Sequence, residues 1–160
     1  MPLHGGVDRL QTMHRALWFY RAASWLYARG LRFPAMVLTV FGRVVTGAWI
    51  PPGAQIGKGS TLGYGGSGVV IHSSAVIGEN CIICPGVLIG GRGPRKGELR
   101  ADSEGPIGPV IGDNVNLWQG SKVLGSITIG DGVDIGVNAV VIHDVPAGSR
   151  VVAPLGRLLN

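Results

Sequence analysis

The chain has 160 residues, 28 of them glycine, where an average usage of about 7% would give about 11. Its formal net charge is +5, and 46% of the residues are hydrophobic while only 14% are charged. This apolar content excludes an intrinsically disordered chain, and the lack of a running Gly-X-Y triplet excludes collagen. The length fits a single domain.

The positive charge is concentrated in residues 1–48, which hold six arginines and one acidic residue, Asp8. Residues 49–160 hold equal numbers of basic and acidic side chains. This distribution excludes a broad basic face, so we expect no nucleic-acid partner. It leaves open a basic, aromatic segment that contacts a membrane surface or a partner protein.

Apolar residues at helical spacing predict a first helix that ends near Gly30. These residues are Leu10, Met13, Leu17, Trp18, Trp25 and Leu26. Pro34 suits the first turn of a second helix, which we expect to run to about Val45.

From Ile50 onward an aliphatic residue recurs every six positions, with a small or β-branched residue four positions after it. The aliphatic positions are Ile50, Ile56, Leu62, Ile71, Ile77, Ile83, Ile89, Ile111, Leu117, Val123, Ile129, Ile135 and Val141. This period predicts a parallel β-helix over 49–152, in which each hexad is a short strand plus a turn. The open end of such a coil needs a cover, so we interpret 1–48 as a helical cap and 153–160 as a tail.

Two insertions interrupt the period. Three extra residues stand between Leu62 and Ile71, within GYGGSGVV. The longer gap between Ile89 and Ile111 predicts a loop at about 91–108 that leaves the coil. Loops on a stiff scaffold are a usual place for function.

Cysteine usage and the apolar runs indicate the compartment. Two cysteines, Cys81 and Cys84, are too few for a disulfide scaffold. Their CxxC spacing permits a redox or metal role. Cys81 stands at an inward position of its hexad, however, which favours core packing. The N-terminus lacks the pattern of a signal peptide, and the longest apolar stretch, 33–41, is shorter than the ~18 residues that span a bilayer. We expect a cytoplasmic protein, peripheral to the inner membrane if the basic segment binds lipid.

The motifs VIGDNV, KVLG, NAVV and DVP resemble the left-handed β-helix acyltransferases, and their order resembles the serine acetyltransferase branch. The resemblance covers about 49–152. It implies a left-handed coil, a homotrimer, and acetyl-CoA as a co-substrate bound between subunits, with no metal. It also implies acetyl transfer to a hydroxyl of serine, a sugar or another small acceptor. The short segment 1–48 resembles that of family members associated with polysaccharide and other specialised pathways.

Transfer of an acetyl group from a thioester needs a general base for the acceptor hydroxyl and donors for the oxyanion. In the family the base is a His in the turn before a GIVI-like strand, where this chain has Tyr64 or Gly65. A second family His is replaced here by Gly108. We therefore predict His72 as the base and Tyr64 as a hydroxyl donor or pocket wall, with an exposed turn residue as the alternative role of His72.

The resemblance also assigns a cofactor surface. In the family the pantetheine arm lies along the backbone of adjacent coils, where small residues allow close approach. Gly91, Gly120, Ser121 and Gly136 match that pattern. Arg157 stands where the family has a Lys near the CoA phosphates, and a guanidinium can bind phosphate through two hydrogen bonds.

Two other functions stay open beside acetyl transfer. The missing family histidines favour a catalytically silent trimer that acts as a structural or CoA-binding regulatory subunit. A zinc site like that of the γ-carbonic anhydrases needs three convergent histidines, whereas the coil supplies only His72 and His143.

Overall fold

The computed structural model describes residues 15–91 and 107–156. Two helices, α1 (Arg15–Ala28) and α2 (Arg32–Thr46), precede a series of very short strands. Both predicted helices are confirmed, although α2 begins before Pro34 and ends at Thr46, where Gly47 caps it with a φ of 73°. The first part of the predicted first helix, 10–14, lies outside the described residues.

The strands form three parallel sheets. In chain order they are β1 (Gln55–Ile56), β2 (Thr61–Leu62), β3 (Val70–Ile71), β4 (Val76–Ile77), β5 (Ile82–Ile83), β6 (Leu88–Gly90), β7 (Val110–Ile111), β8 (Asn116–Leu117), β9 (Lys122–Leu124), β10 (Thr128–Ile129), β11 (Asp134–Ile135), β12 (Val140–Val141) and β13 (Arg150–Val151). The first sheet has the order β1-β4-β7-β10, the second β2-β5-β8-β11-β13, and the third β3-β6-β9-β12. Three consecutive strands therefore make one coil, which confirms the β-helix predicted from the hexads.

The turns between sheets form three edges that run along the coil. The first edge joins the first sheet to the second and comprises 57–60, 78–81, 112–115, 130–133 and 146–149. The second edge joins the second sheet to the third and comprises 63–69, 84–87, 118–121 and 136–139. The third edge joins the third sheet to the first and includes 72–75, 91, 107–109, 125–127 and 142–144.

The hexad aliphatics fill the interior of the coil. In the second sheet Leu62, Ile83, Leu117 and Ile135 are 0% exposed and lie in register, one above another. The small or β-branched residue four positions after a hexad aliphatic also points inward, for example Val115, which follows Ile111 and is 0% exposed. Each such aliphatic side chain contributes about 1.5–3 kcal/mol when fully buried, so the ladders supply the driving force for stacking the coils.

Successive coils approach closely along the first edge, where Gly57, Gly78, Gly112 and Gly130 follow one another. A Cβ on Gly78 would lie 2.6 Å from the carbonyl carbon of Gly112 in the next coil. Only a residue without a side chain fits such an approach. Part of the glycine excess is therefore a packing requirement of the coil.

The two helices form a hairpin over one end of the coil. A Cβ on Gly42 would lie 2.9 Å from Cβ of Phe19, so the helices touch at this point. Leu17 of α1 belongs to the buried cluster of the coil, and the hydroxyl of Tyr20 donates to the carbonyl oxygen of Ala54 at 2.7 Å. Neither helix, nor any other helix in the described part of the chain, has the length and hydropathy needed to cross a bilayer.

Replacing Tyr20 with Phe is expected to lower the free energy of unfolding by about 1–2 kcal/mol, because it removes the partner of a buried carbonyl oxygen. Burial raises the pKa of Tyr20, so its hydroxyl stays protonated and able to donate at neutral pH. Chemical denaturation followed by circular dichroism measures the loss. Tyr27→Phe, at an exposed position of the same helix, is the matched control. An equal loss in both variants contradicts a special role for the Tyr20 hydrogen bond.

Candidate functional site

His72 lies on the third edge, directly after β3, in a turn closed by a hydrogen bond from the Ala75 amide to the His72 carbonyl at 3.1 Å. Its ring is half-buried. Nδ1 lies 2.8 Å from Oγ of Ser74 and accepts the Ser74 backbone N–H at 3.2 Å. The Ser74 hydroxyl can donate to Nδ1 when the ring proton is on Nε2, or accept from Nδ1–H when the proton is on Nδ1, so the group that contacts Nε2 decides the tautomer.

The His72 ring sits at the base of the segment predicted to leave the coil. A Cβ on Gly91 would lie 2.8 Å from Cε1 of His72 and 2.8 Å from the carbonyl oxygen of Ile107. Gly91 and Ile107 are the described residues that flank 92–106, which lies outside the described part of the chain. The ring and both loop ends therefore meet at one point, and no larger residue fits at Gly91 without displacing them.

Gly108 occupies the position where the resemblance implies a second His. A Cβ there would lie 2.7 Å from both the carbonyl carbon and the oxygen of Ser74. These are backbone atoms of the neighbouring coil, which cannot move aside as a flexible side chain can. No side chain of any kind fits at Gly108 while the coil keeps this stacking.

Tyr64 lies on the second edge, in the insertion between β2 and β3. It has a left-handed conformation, with φ 48° and ψ 39°, and its side chain is 82% exposed. His72 follows β3, so the two predicted catalytic residues lie on the two different edges of the third sheet. Within one chain the structure does not bring them together.

The predicted cofactor residues are divided between the same two edges. Gly91 is on the third edge with His72, whereas Gly120 and Gly136 are on the second edge in successive coils. Ser121 is 0% exposed, and its buried Oγ has no hydrogen-bond partner within the described residues. Its side chain points into the coil and does not reach a ligand outside. Arg157 lies outside the described residues.

Three polar side chains beside the second edge form a connected group that was not predicted from the sequence. The indole N–H of Trp118 donates to Oδ1 of Asp134, and Oδ2 of Asp134 lies 3.1 Å from Nε of Arg150. Asp134 pairs in register with Arg150, so the hexad register contained the signal for this ion pair. This hydrogen bond and this ion pair hold the Trp118 indole on the second edge, which also carries Gly120, where the resemblance places the pantetheine arm.

The two cysteines are free, and both are buried in the coil. Burial raises the pKa of each thiol, and Sγ of Cys81 donates to the carbonyl oxygen of Gly112 at 3.2 Å. Across 15–91 and 107–156, no three His, Cys, Asp or Glu side chains gather as metal ligands would. For Cys81 and Cys84 this arrangement is that of core side chains.

Both thiols are expected to react with a disulfide reagent about 100-fold or more slowly in the native protein than in denaturant at pH 8. The free energy of unfolding is also expected to fall above about pH 8.5, because the thiols ionise in the unfolded chain before they do so in the fold. Thiol titration with and without guanidinium, and denaturation across pH, measure these effects. Rapid reaction of the native protein contradicts both expectations.

The family model "Bacterial transferase hexapeptide (six repeats)" matches residues 108–143. The chain is 42% identical over 145 residues to the serine acetyltransferase of Helicobacter pylori, covering 91% of this chain and 80% of that protein. It is 41% identical over 144 residues to the Bacillus subtilis serine acetyltransferase, covering 90% and 62%. It spans 56% of the length of the Synechococcus elongatus serine acetyltransferase, to which it is 39% identical over 91% of this chain.

Solved structures give the same result. The serine acetyltransferase of Neisseria gonorrhoeae in complex with serine superposes with a TM-score of 0.79 and 31% identity, over 95% of this chain and 61% of that one. The serine acetyltransferase of Brucella abortus in complex with coenzyme A superposes with a TM-score of 0.76 and 30% identity, over 89% and 53%. These matches confirm the predicted resemblance and the left-handed β-helix.

Proposed function

The chain belongs to the serine acetyltransferase family, and from that premise we propose that it transfers the acetyl group of acetyl-CoA to a hydroxyl of serine or of a similar small acceptor. The observation that carries the proposal is the position of His72, whose half-buried ring lies beside Gly91, at the start of the segment predicted to leave the coil. Nδ1 is engaged by Ser74, which leaves Nε2 for a ligand.

We propose His72 as the proton acceptor. An acceptor hydroxyl that donates to Nε2 favours the tautomer with its proton on Nδ1, and Oγ of Ser74, 2.8 Å away, can accept that proton. The acceptor oxygen attacks the thioester carbonyl as its proton passes to Nε2, and the departing CoA thiolate then takes this proton. In this role Ser74 is a positioning residue.

We also propose that the site is completed in a homotrimer. Tyr64 and Gly120 lie on one edge of the third sheet, and His72 and Gly91 on the other. A closed ring that packs the second edge of one subunit against the third edge of the next would place both groups along one cleft. Acetyl-CoA would lie in this cleft, with the Tyr64 phenol as an oxyanion donor and Arg157 as a phosphate ligand. A cytoplasmic location is part of the same proposal.

The test is release of the CoA thiol from acetyl-CoA in the presence of L-serine or a panel of sugars, with the product identified by mass spectrometry. Acetyl transfer to one of these acceptors supports the proposal. Binding of CoA without turnover supports the silent-subunit alternative, which the Tyr64 and Gly108 replacements favour. Absence of both binding and turnover rejects both functions. Light scattering decides whether the particle is a trimer.

A further inference from the structure

Helix α2 buries its small residues and exposes its large ones. Ala35, Thr39 and Gly42 are the buried residues of the helix. The opposite face carries an outer stripe of six large apolar side chains, each 48–82% exposed: Phe33, Met36, Val37, Val40, Phe41 and Val44. Their spacing places them on one continuous face of the helix. A contiguous apolar surface of this kind marks an interaction site rather than ordinary surface composition.

Aromatic side chains of α1 continue this surface. The ring of Phe19 lies 5.7 Å from that of Phe41 in the outer stripe, and 5.2 Å from the ring of Trp18. Trp18 is 63% exposed and Trp25, two turns further along α1, is 55% exposed. The hairpin therefore presents one apolar surface with indole rings at its margin, and indoles favour the interface between water and hydrocarbon.

The positive charge of the hairpin indicates which kind of partner binds this surface. Residues 15–46 hold five arginines, all exposed, and no acidic residue. By helical spacing Arg32 and Arg43 border the outer stripe on the side of Met36 and Val40. A second copy of the chain would bring the same positive charges to the contact, whereas anionic lipid headgroups complement them.

We propose that the outer stripe docks on an anionic lipid surface. Helix α2 lies in the plane of the interface, with its apolar side chains inserted to about 5–10 Å and the arginines at the level of the headgroups. The hairpin holds the coil at the membrane surface without crossing it. This interaction is independent of acetyl transfer, since the stripe belongs to a different part of the chain from His72.

The test is sedimentation of the full chain with vesicles of phosphatidylcholine, with or without phosphatidylglycerol. We expect binding to the anionic vesicles to be about tenfold or more stronger and to weaken with salt. The double variant Phe33→Glu/Val44→Glu is expected to lose about tenfold or more of this binding. The matched control is Val152→Glu/Leu155→Glu, at positions 71% and 96% exposed, which adds the same charge and should bind as the parent does.

Three results would overturn the proposal. The first is no binding of the parent protein to anionic vesicles. The second is equal binding by both double variants. The third is a parent protein that does not bind vesicles and whose particle in light scattering is larger than that of the Phe33→Glu/Val44→Glu variant. That result would make the stripe a contact between copies of the chain. Circular dichroism must show that both variants stay folded, as expected for exposed positions.

Discussion

Replacing Gly78 with alanine is expected to cost about 3 kcal/mol of unfolding free energy, a large share of the stability of a small domain. The new Cβ would lie 2.6 Å from the carbonyl carbon and oxygen of Gly112. The two coils cannot separate locally, because β4 and β7 pair directly beside this point, with Ile77 opposite Ile111. The clash must therefore distort the backbone of both coils. Chemical denaturation followed by circular dichroism measures the loss.

The control is Gly132→Ala on the same edge. A Cβ on Gly132 meets nothing within 4 Å, but its φ of 65° is unfavourable for alanine. We expect this change to cost about 1 kcal/mol, the strain of a left-handed residue alone. Equal losses at Gly78 and Gly132 would show that the close approach of the coils is not what requires glycine.

Replacing His72 with alanine is expected to lower kcat/KM for acetyl transfer by about 10²–10⁴-fold, the usual contribution of a general base. The affinity for CoA should change little, because the proposed base acts on the acceptor. Ser74→Ala keeps the imidazole but removes the oxygen that holds its Nδ1 proton, so a loss of about tenfold in kcat is expected. Steady-state kinetics across pH, with CoA binding measured by calorimetry, test both variants.

The alternative role of His72 predicts a different pattern. If His72 only closes the turn with Ser74, its replacement lowers the free energy of unfolding and leaves the rate and its pH dependence unchanged. Activity that survives in His72→Ala would remove it as the base. Tyr64→Phe would then be the next variant to test, because Tyr64 lies on the second edge, which forms the other side of the proposed cleft.

The coil could be predicted from the sequence because its period alone decides which side chains are inside. Positions such as Leu117 and Ile135 are buried wherever the hexads stack, whatever lies between them. The faces of α2 could not be predicted in this way, because both are apolar. The close contact of Gly42 with Phe19 selects the face with small residues for the interior, and that contact depends on the position of a second helix.

The candidate site could be predicted only in part, because contacts between the turns of successive coils do not follow from the hexad period. The hexad frame placed His72 directly after a strand, on an edge of the coil. Its partner Ser74 and its contact with Gly91 depend on how turns of successive coils stack, which the period does not specify. The same stacking explains why Gly108 cannot hold a side chain. Ser121 was assigned from its size, but the inward position in its hexad points it away from any ligand.

The junction at Gly91 has a consequence for how this protein can diversify. The two ends of the loop segment, Gly91 and Ile107, meet against the His72 ring, so the coil is continuous below them. Lengthening a loop whose ends are already joined costs little, about 0.6 kcal/mol for each doubling. The length of the segment between Gly91 and Ile107 can therefore change at little cost in stability. Residues inserted or removed between Gly91 and Ile107 are therefore expected to leave the His72 turn in place.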